Sequence, residues 1–170
     1  MLAAMSERPL WAPWRIEYIK RPPREECIFC AAAGADPEHV VLERGEGCFT
    51  LLNAYPYASG HVMVAPLRHV PALTDLDDEE LLGLMRLSRR ATRALAEAMS
   101  AEGFNVGLNL GVDAGAGVAE HLHMHVVPRW RGDNNFMPVL ADTRVLPQSL
   151  AGAREVLLAA LERLPADWSG

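Results

Sequence analysis

The chain has no apolar run approaching the ~20 residues that a membrane-spanning helix requires, and no signal peptide stands at its start. It has only three cysteines among 170 residues. That number is too small and too odd for a disulfide framework, and it fits a reducing cytoplasm. It has no excess of positive charge. The formal net charge is −6, which argues against general nucleic-acid binding. It has no internal repeat and no low-complexity tract. It also has no Gly-Lys-Ser/Thr phosphate loop, and no glycine fingerprint leading into a helix for a dinucleotide.

Half of the residues are hydrophobic, and a chain of this length can bury one core, so a single domain is expected. Residues 1–26 carry Pro9, Trp11, Pro13, Trp14, Pro22 and Pro23 and read as an irregular arm, expected to lie across the domain or a partner subunit because tryptophans seldom stay exposed. Residues 27–146 form the main domain. Residues 147–170 form a C-terminal helix and tail packed on it.

The most informative stretch is Glu120-His121-Leu122-His123-Met124-His125-Val126-Val127-Pro128, which holds three of the six histidines. Apolar residues alternate with them, the pattern of a half-buried strand, so the imidazoles share one face and stand roughly 6–7 Å apart. Pro128 is expected to close the strand. Two chemistries suit such a row. One imidazole can attack an electrophile while its neighbours orient it and bind developing charge. Alternatively the row can bind a metal. A metal cluster normally adds a carboxylate, and Glu120 falls on the wrong face. Ahead of the histidines, Gly111, Gly115 and Gly117 make a turn whose backbone N–H groups can approach an anion. Arg68, Arg129 and Arg131 are candidate cations for such a substrate.

The remaining elements read as follows. Val40–Leu42, Cys48–Asn53, His61–Pro66 and Phe104–Leu110 are strands, the last pairing antiparallel with the histidine strand. Asp75–Met99 is a long helix with acids in its first turn and Leu81, Leu84, Met85, Ser88, Ala91, Leu95 and Met99 on one apolar face. Pro147 opens a second helix with Leu150, Arg154, Leu157, Leu161 and Leu164 on a stripe. Asn109 emerges beside the histidine row. His61, after Gly60 at a strand start, reads as a structural histidine. Cys27-Ile28-Phe29-Cys30 has the spacing of half a zinc site, a weak signal alone, and Ala31–Ala33 begins a short turn of helix.

His121-x-His123-x-His125-Val126-Val127 resembles the signature of the histidine triad (HIT) family of nucleotide hydrolases and transferases. Leu51–Tyr57 and Gly60–Pro66 resemble the family's paired strands. Leu10–Arg15, Gly103–Asn109 and Pro128–Phe136 are similar to the branch containing bacterial diadenosine tetraphosphate phosphorylases. The resemblance implies an α+β fold, with an antiparallel sheet of about five strands carrying one long helix and a C-terminal helix, and a homodimer or higher oligomer with the long helix and an edge strand at its interface.

It also implies a reaction, cleavage of dinucleoside polyphosphates at the α-phosphorus through a nucleotidyl-histidine, with phosphate or water as acceptor. A nucleoside phosphoramidate hydrolase or a non-catalytic purine nucleotide binder is the alternative. In that pattern His123 attacks, His125 binds charged oxygens, and His121 completes the row. Asn53, Asn109, Gly115, Gly117, Phe29 and Trp130 are the substrate-binding residues. No catalytic cofactor is expected. A structural zinc is implied at Cys27, Cys30, His69 and His121. One departure is visible: many relatives have Gln, Ser or Thr where this chain has Gly117 and Val118, which leaves backbone N–H groups to serve the phosphate there.

Overall fold

The computed structural model describes residues 26–36, 39–133 and 149–165. The proposed arm with Trp11 and Trp14, the segment after Asp133 with Phe136, and Pro147 lie outside these residues. A short helix α1 (Ile28–Gly34) leads into strands β1 (Val41–Arg44), β2 (Cys48–Leu52) and β3 (Val62–Pro66). A 3-10 turn (Leu73–Asp75), the long helix α2 (Asp78–Met99), β4 (Gly103–Leu108), β5 (Met124–Arg129) and α3 (Leu150–Arg163) follow. The strands form one five-stranded sheet in the order β1-β2-β3-β5-β4, and every pairing is antiparallel. The expected α+β architecture is therefore what the chain adopts.

The period-two pattern of the strands divides the core in two. Cys48, Leu52, Val62, Val64, Leu122, Met124 and Val126 face α2 and α3, packing against Leu84, Leu87, Ala91, Leu95 and Leu157. Phe49, Leu51, Met63 and Ala65 face the other way, against Phe29 and Ala32 of α1. The histidine row is on this second face.

Helix α2 starts later than the acid-rich sequence suggests. Asp77 is its cap, accepting from Glu80 N–H while the Glu80 carboxylate accepts from Asp77 N–H, so Asp75 ends the preceding turn. The helix closes at Ser100, which takes the left-handed conformation at φ 52°. Met85, expected in the core, is 58% exposed. Leu87 and Ala94 are buried on the apolar stripe instead. In α3, capped by Ser149, Leu150 is likewise exposed and Ala153 and Ala160 are buried. Pro128 does not end β5. It pairs with Phe104 on β4, beyond the point where the ladder to β3 stops at Val126, so its missing N–H interrupts no bond to β3.

Candidate active site and metal centre

The regular part of β5 begins at Met124, so His121 and His123 stand just ahead of it, where Leu122 N–H donates to the carbonyl of Val70 at 2.7 Å. The three imidazoles do not converge on one point. Each has a separate set of partners, and those partners fix its tautomer.

His123 Nδ1 lies 2.9 Å from the His121 carbonyl oxygen, to which only an N–H can donate. Its proton is therefore on Nδ1, and Nε2 keeps its lone pair. Burial pushes the His123 pKa below its ordinary value, opposed by the bond to the His121 carbonyl. The ring is thus neutral at physiological pH, as a nucleophile must be.

His125 is wired to a residue the sequence reading treated as structural. His61 Nδ1 accepts from the backbone N–H of Tyr57 at 3.1 Å, so the His61 proton is on Nε2. That proton points at His125 Nδ1, 3.0 Å away. His125 must then carry its own proton on Nε2, where the Asn109 carboxamide lies 3.4 Å off. Burial, then the neighbouring imidazoles, lowers His61 to about 3. Burial, then His123, lowers His125 to about 4. The signal for His61 was present in the chain: it shares the odd-numbered face of its strand with Met63, and Met63 pairs with His125. The pairing of β3 with β5 could not be read without the fold.

His121 turns away from this pair. Its Nε2–H donates to the Pro66 carbonyl at 2.9 Å, leaving the Nδ1 lone pair 3.3 Å from Cys27 Sγ and 3.6 Å from Cys30 Sγ. His69 Nδ1 is 3.4 Å from Cys30 Sγ. The four donor atoms lie within 4.8 Å of one another, the one such cluster of His, Cys, Asp or Glu among the described residues. A tetrahedral site with Zn–S of 2.3 Å and Zn–N of about 2.0–2.1 Å has S···N edges of roughly 3.6 Å, so these spacings fit zinc. Burial and the adjacent Cys27 raise the Cys30 thiol above its ordinary pKa, a cost that binding as thiolate to a cation removes.

The other expected site residues divide. Asn109 stands beside the row, its side chain 3.4 Å from His125 Nε2. Gly115, at φ 85°, closes the 3-10 turn Val112–Ala114 in the loop before the histidines, with Gly117 two residues on. Asn53 follows β2, with its side-chain oxygen accepting from Tyr55 N–H at 2.8 Å and its amide nitrogen 3.3 Å from His61. Phe29, expected to line a base pocket, has no exposed surface. Its ring stacks under His123 at 4.7 Å, so it offers no face to a base. Trp130 is not at the row. Alternation puts it on the α2 side of the sheet, and its indole N–H donates to the Met99 carbonyl at 3.0 Å. Two candidate cations are committed elsewhere, Arg68 to both oxygens of Glu80 and Arg129 to both oxygens of Asp133. Arg131 is an exposed residue after β5.

A model of the HIT domain matches residues 34–132. The chain is 41% identical over 166 residues to the AP-4-A phosphorylase of Mycobacterium tuberculosis, spanning 92% of this chain and 85% of that protein. It is 40% identical over 82 residues to the asymmetrical bis(5'-nucleosyl)-tetraphosphatase of Schizosaccharomyces pombe, covering 48% of this chain and 44% of that one. Among solved structures, a zinc-bound histidine triad family protein from Mycobacterium smegmatis superposes with a TM-score of 0.68 at 29% identity, over 81% of this chain and 94% of that chain. The chain belongs to the histidine triad (HIT) family and is one of its enzymes.

Proposed function

We propose that the enzyme cleaves dinucleoside polyphosphates of the diadenosine tetraphosphate type at the α-phosphorus, through a nucleotidyl intermediate on His123. The observation that carries this reading is the His123 tautomer: a neutral, buried ring whose Nδ1–H is held by the His121 carbonyl and whose Nε2 lone pair is free to attack. The names of the relatives, a phosphorylase and a tetraphosphatase of this substrate class, support the choice of substrate.

His123 Nε2 forms a bond to the α-phosphorus as the bond to the bridging oxygen breaks, and the remaining nucleoside polyphosphate leaves as an anion that needs no proton. The attacking ring gains positive charge, and the His121 carbonyl stabilises it through Nδ1–H. His125 donates a hydrogen bond from Nε2–H to the departing oxygen and keeps its proton, its orientation set by His61. With Arg68 and Arg129 committed, neutral donors serve the other oxygens: the Asn109 amide and the backbone of the Gly111–Gly117 loop. Phosphate or water then attacks the nucleotidyl-histidine, the N–P bond breaks, and His123 regains its lone pair. Asn53 stands at the His61 end of the site and is assigned to the ribose.

Zinc is assigned to Cys27, Cys30, His69 and His121, where it would fix α1 against the sheet. A homodimer is also assigned. Helix α3 covers the β1 side of the helical face, while β4 keeps an open edge with Val106 46% exposed on that same face. Among the described residues no helix is long and apolar enough to cross a membrane, and the free thiols suit a reducing cytoplasm.

The test is incubation with diadenosine tetraphosphate with and without inorganic phosphate, products separated by chromatography. ADP plus ATP identifies phosphorolysis, and AMP plus ATP hydrolysis. Tight binding without either product pair makes the chain a nucleotide binder and overturns the proposal. Sedimentation at micromolar concentration tests the dimer, and a monomer removes it.

A further inference from the structure

We infer that Phe29 is a positioning residue that ties the Cys27–Cys30–His69–His121 site to His123, so that a cation held there sets the orientation of the attacking imidazole. The inference rests on the assignment of His123 as the nucleophile. Two routes connect the sites.

The first runs through the backbone. His121 is held at both ring nitrogens, by the Pro66 carbonyl on one side and the two sulfurs on the other. Its own carbonyl is the acceptor that fixes the His123 tautomer. A shift of the His121 backbone that accompanies loss of those ring contacts displaces that acceptor.

The second runs through Phe29, which lies between the two cysteines. Its ring centroid is 4.7 Å from that of His123 with the planes 30° apart, and 5.0 Å from that of His121. The ring of His125 meets that of His123 edge-on, with centroids 4.9 Å apart. His123 is thus in ring contact with both Phe29 and His125. Phe29 is enclosed with Ala32, Phe49, Met63 and Ala65, so it moves only if α1 moves. Helix α1 is seven residues long, and its N-cap Cys27 makes no side-chain capping bond. Its C-terminal end is held by Arg44, which donates to the carbonyls of Ala32 and Ala33 at 2.9 and 2.7 Å, and its middle by the burial of Phe29 and Ala32. Its N-terminal end, where Cys27 makes no side-chain cap, is the end that a metal ligated there would fix.

The test compares the zinc-loaded wild type, chelator-stripped wild type and zinc-loaded Phe29→Leu. Phe29→Leu is expected to retain one zinc per chain and a KM within about twofold of wild type, while kcat falls by roughly tenfold to a hundredfold, the scale of a small misplacement of a reacting group. Stripping the metal should lower kcat in the same way. A second readout needs no substrate: the Nδ1–H proton of His123, followed by NMR, should exchange with water markedly faster in both altered proteins. That signal still reports on positioning if Phe29→Leu proves too unstable for kinetics, because the stripped wild type supplies it. A Phe29→Leu enzyme with unchanged kcat and raised KM would make Phe29 a base-binding residue and overturn the inference. An unchanged His123 signal after metal removal would overturn it too. Absence of turnover in loaded wild type would count against the proposed reaction and leave the NMR comparison to decide the coupling.

Discussion

His61 Nε2 and His125 Nδ1 stand 3.0 Å apart and share one proton, which belongs to His61 because its other nitrogen already accepts from Tyr57 N–H. The tautomer of His125 is therefore imposed from a neighbouring strand. His61→Ala should lower kcat by about tenfold to a hundredfold, less than the roughly 10²–10³-fold that outright loss of one stabilising donor costs, and by less than His123→Ala. Steady-state kinetics on purified variants checks this. Wild-type turnover in His61→Ala would exclude the relay.

The same pair makes the fold sensitive to acid. His61 and His125 have folded pKa values lowered to about 3 and about 4, against an ordinary value of 6.5. The folded state therefore binds fewer protons than the unfolded state between these limits. Their contribution to stability is complete above pH 6.5 and is lost as the pH falls toward 4. The melting temperature should decline over that window, and less steeply in His61→Leu. Identical pH profiles for the two proteins would contradict the assignment.

Metal removal gives a third expectation. The purified protein should contain about one zinc per chain, and Cys30→Ser should lower the melting temperature by at least about 5 °C, as expected when a folding-coupled metal is weakened. Metal analysis with calorimetry measures both. A zinc-free protein with an unchanged melting temperature would remove the site.

Gly60, immediately before His61, has a backbone φ of +76°, and a Cβ there would stand 2.5 Å from Met99 Sδ and 2.9 Å from Leu95 Cδ2. Gly60→Ala should destabilise the protein by about 1–3 kcal/mol through strain and overpacking. Thermal denaturation tests it, and an unchanged midpoint would mean that the end of α2 yields freely.

Much of this was legible in the chain because period and spacing are local properties. The histidine alternation placed His121, His123 and His125 on the face opposite Met124 and Val126, and the resemblance named the metal ligands that the fold brings together. What was not legible depended on strand pairing. Only the β3–β5 ladder brings His61 to His125, and only the seating of α1 under the row turns Phe29 into a packing partner. Helical periodicity likewise cannot say which flank of a stripe a neighbouring helix covers, so Met85 was placed inside and is exposed. Arg68 looked available by position, but Glu80, fixed by the cap of α2, binds it.

The most direct measurement is of the covalent intermediate. Brief mixing of enzyme with diadenosine tetraphosphate radiolabelled at the α-phosphorus, followed by an alkaline quench, should trap an acid-labile label on the wild-type protein. Peptide mapping should place it on His123, and His123→Ala should carry none while still binding nucleotide, with turnover reduced by several orders of magnitude. A wild-type enzyme that turns over without becoming labelled, or a His123→Ala protein that is labelled at the wild-type rate, would contradict the assignment.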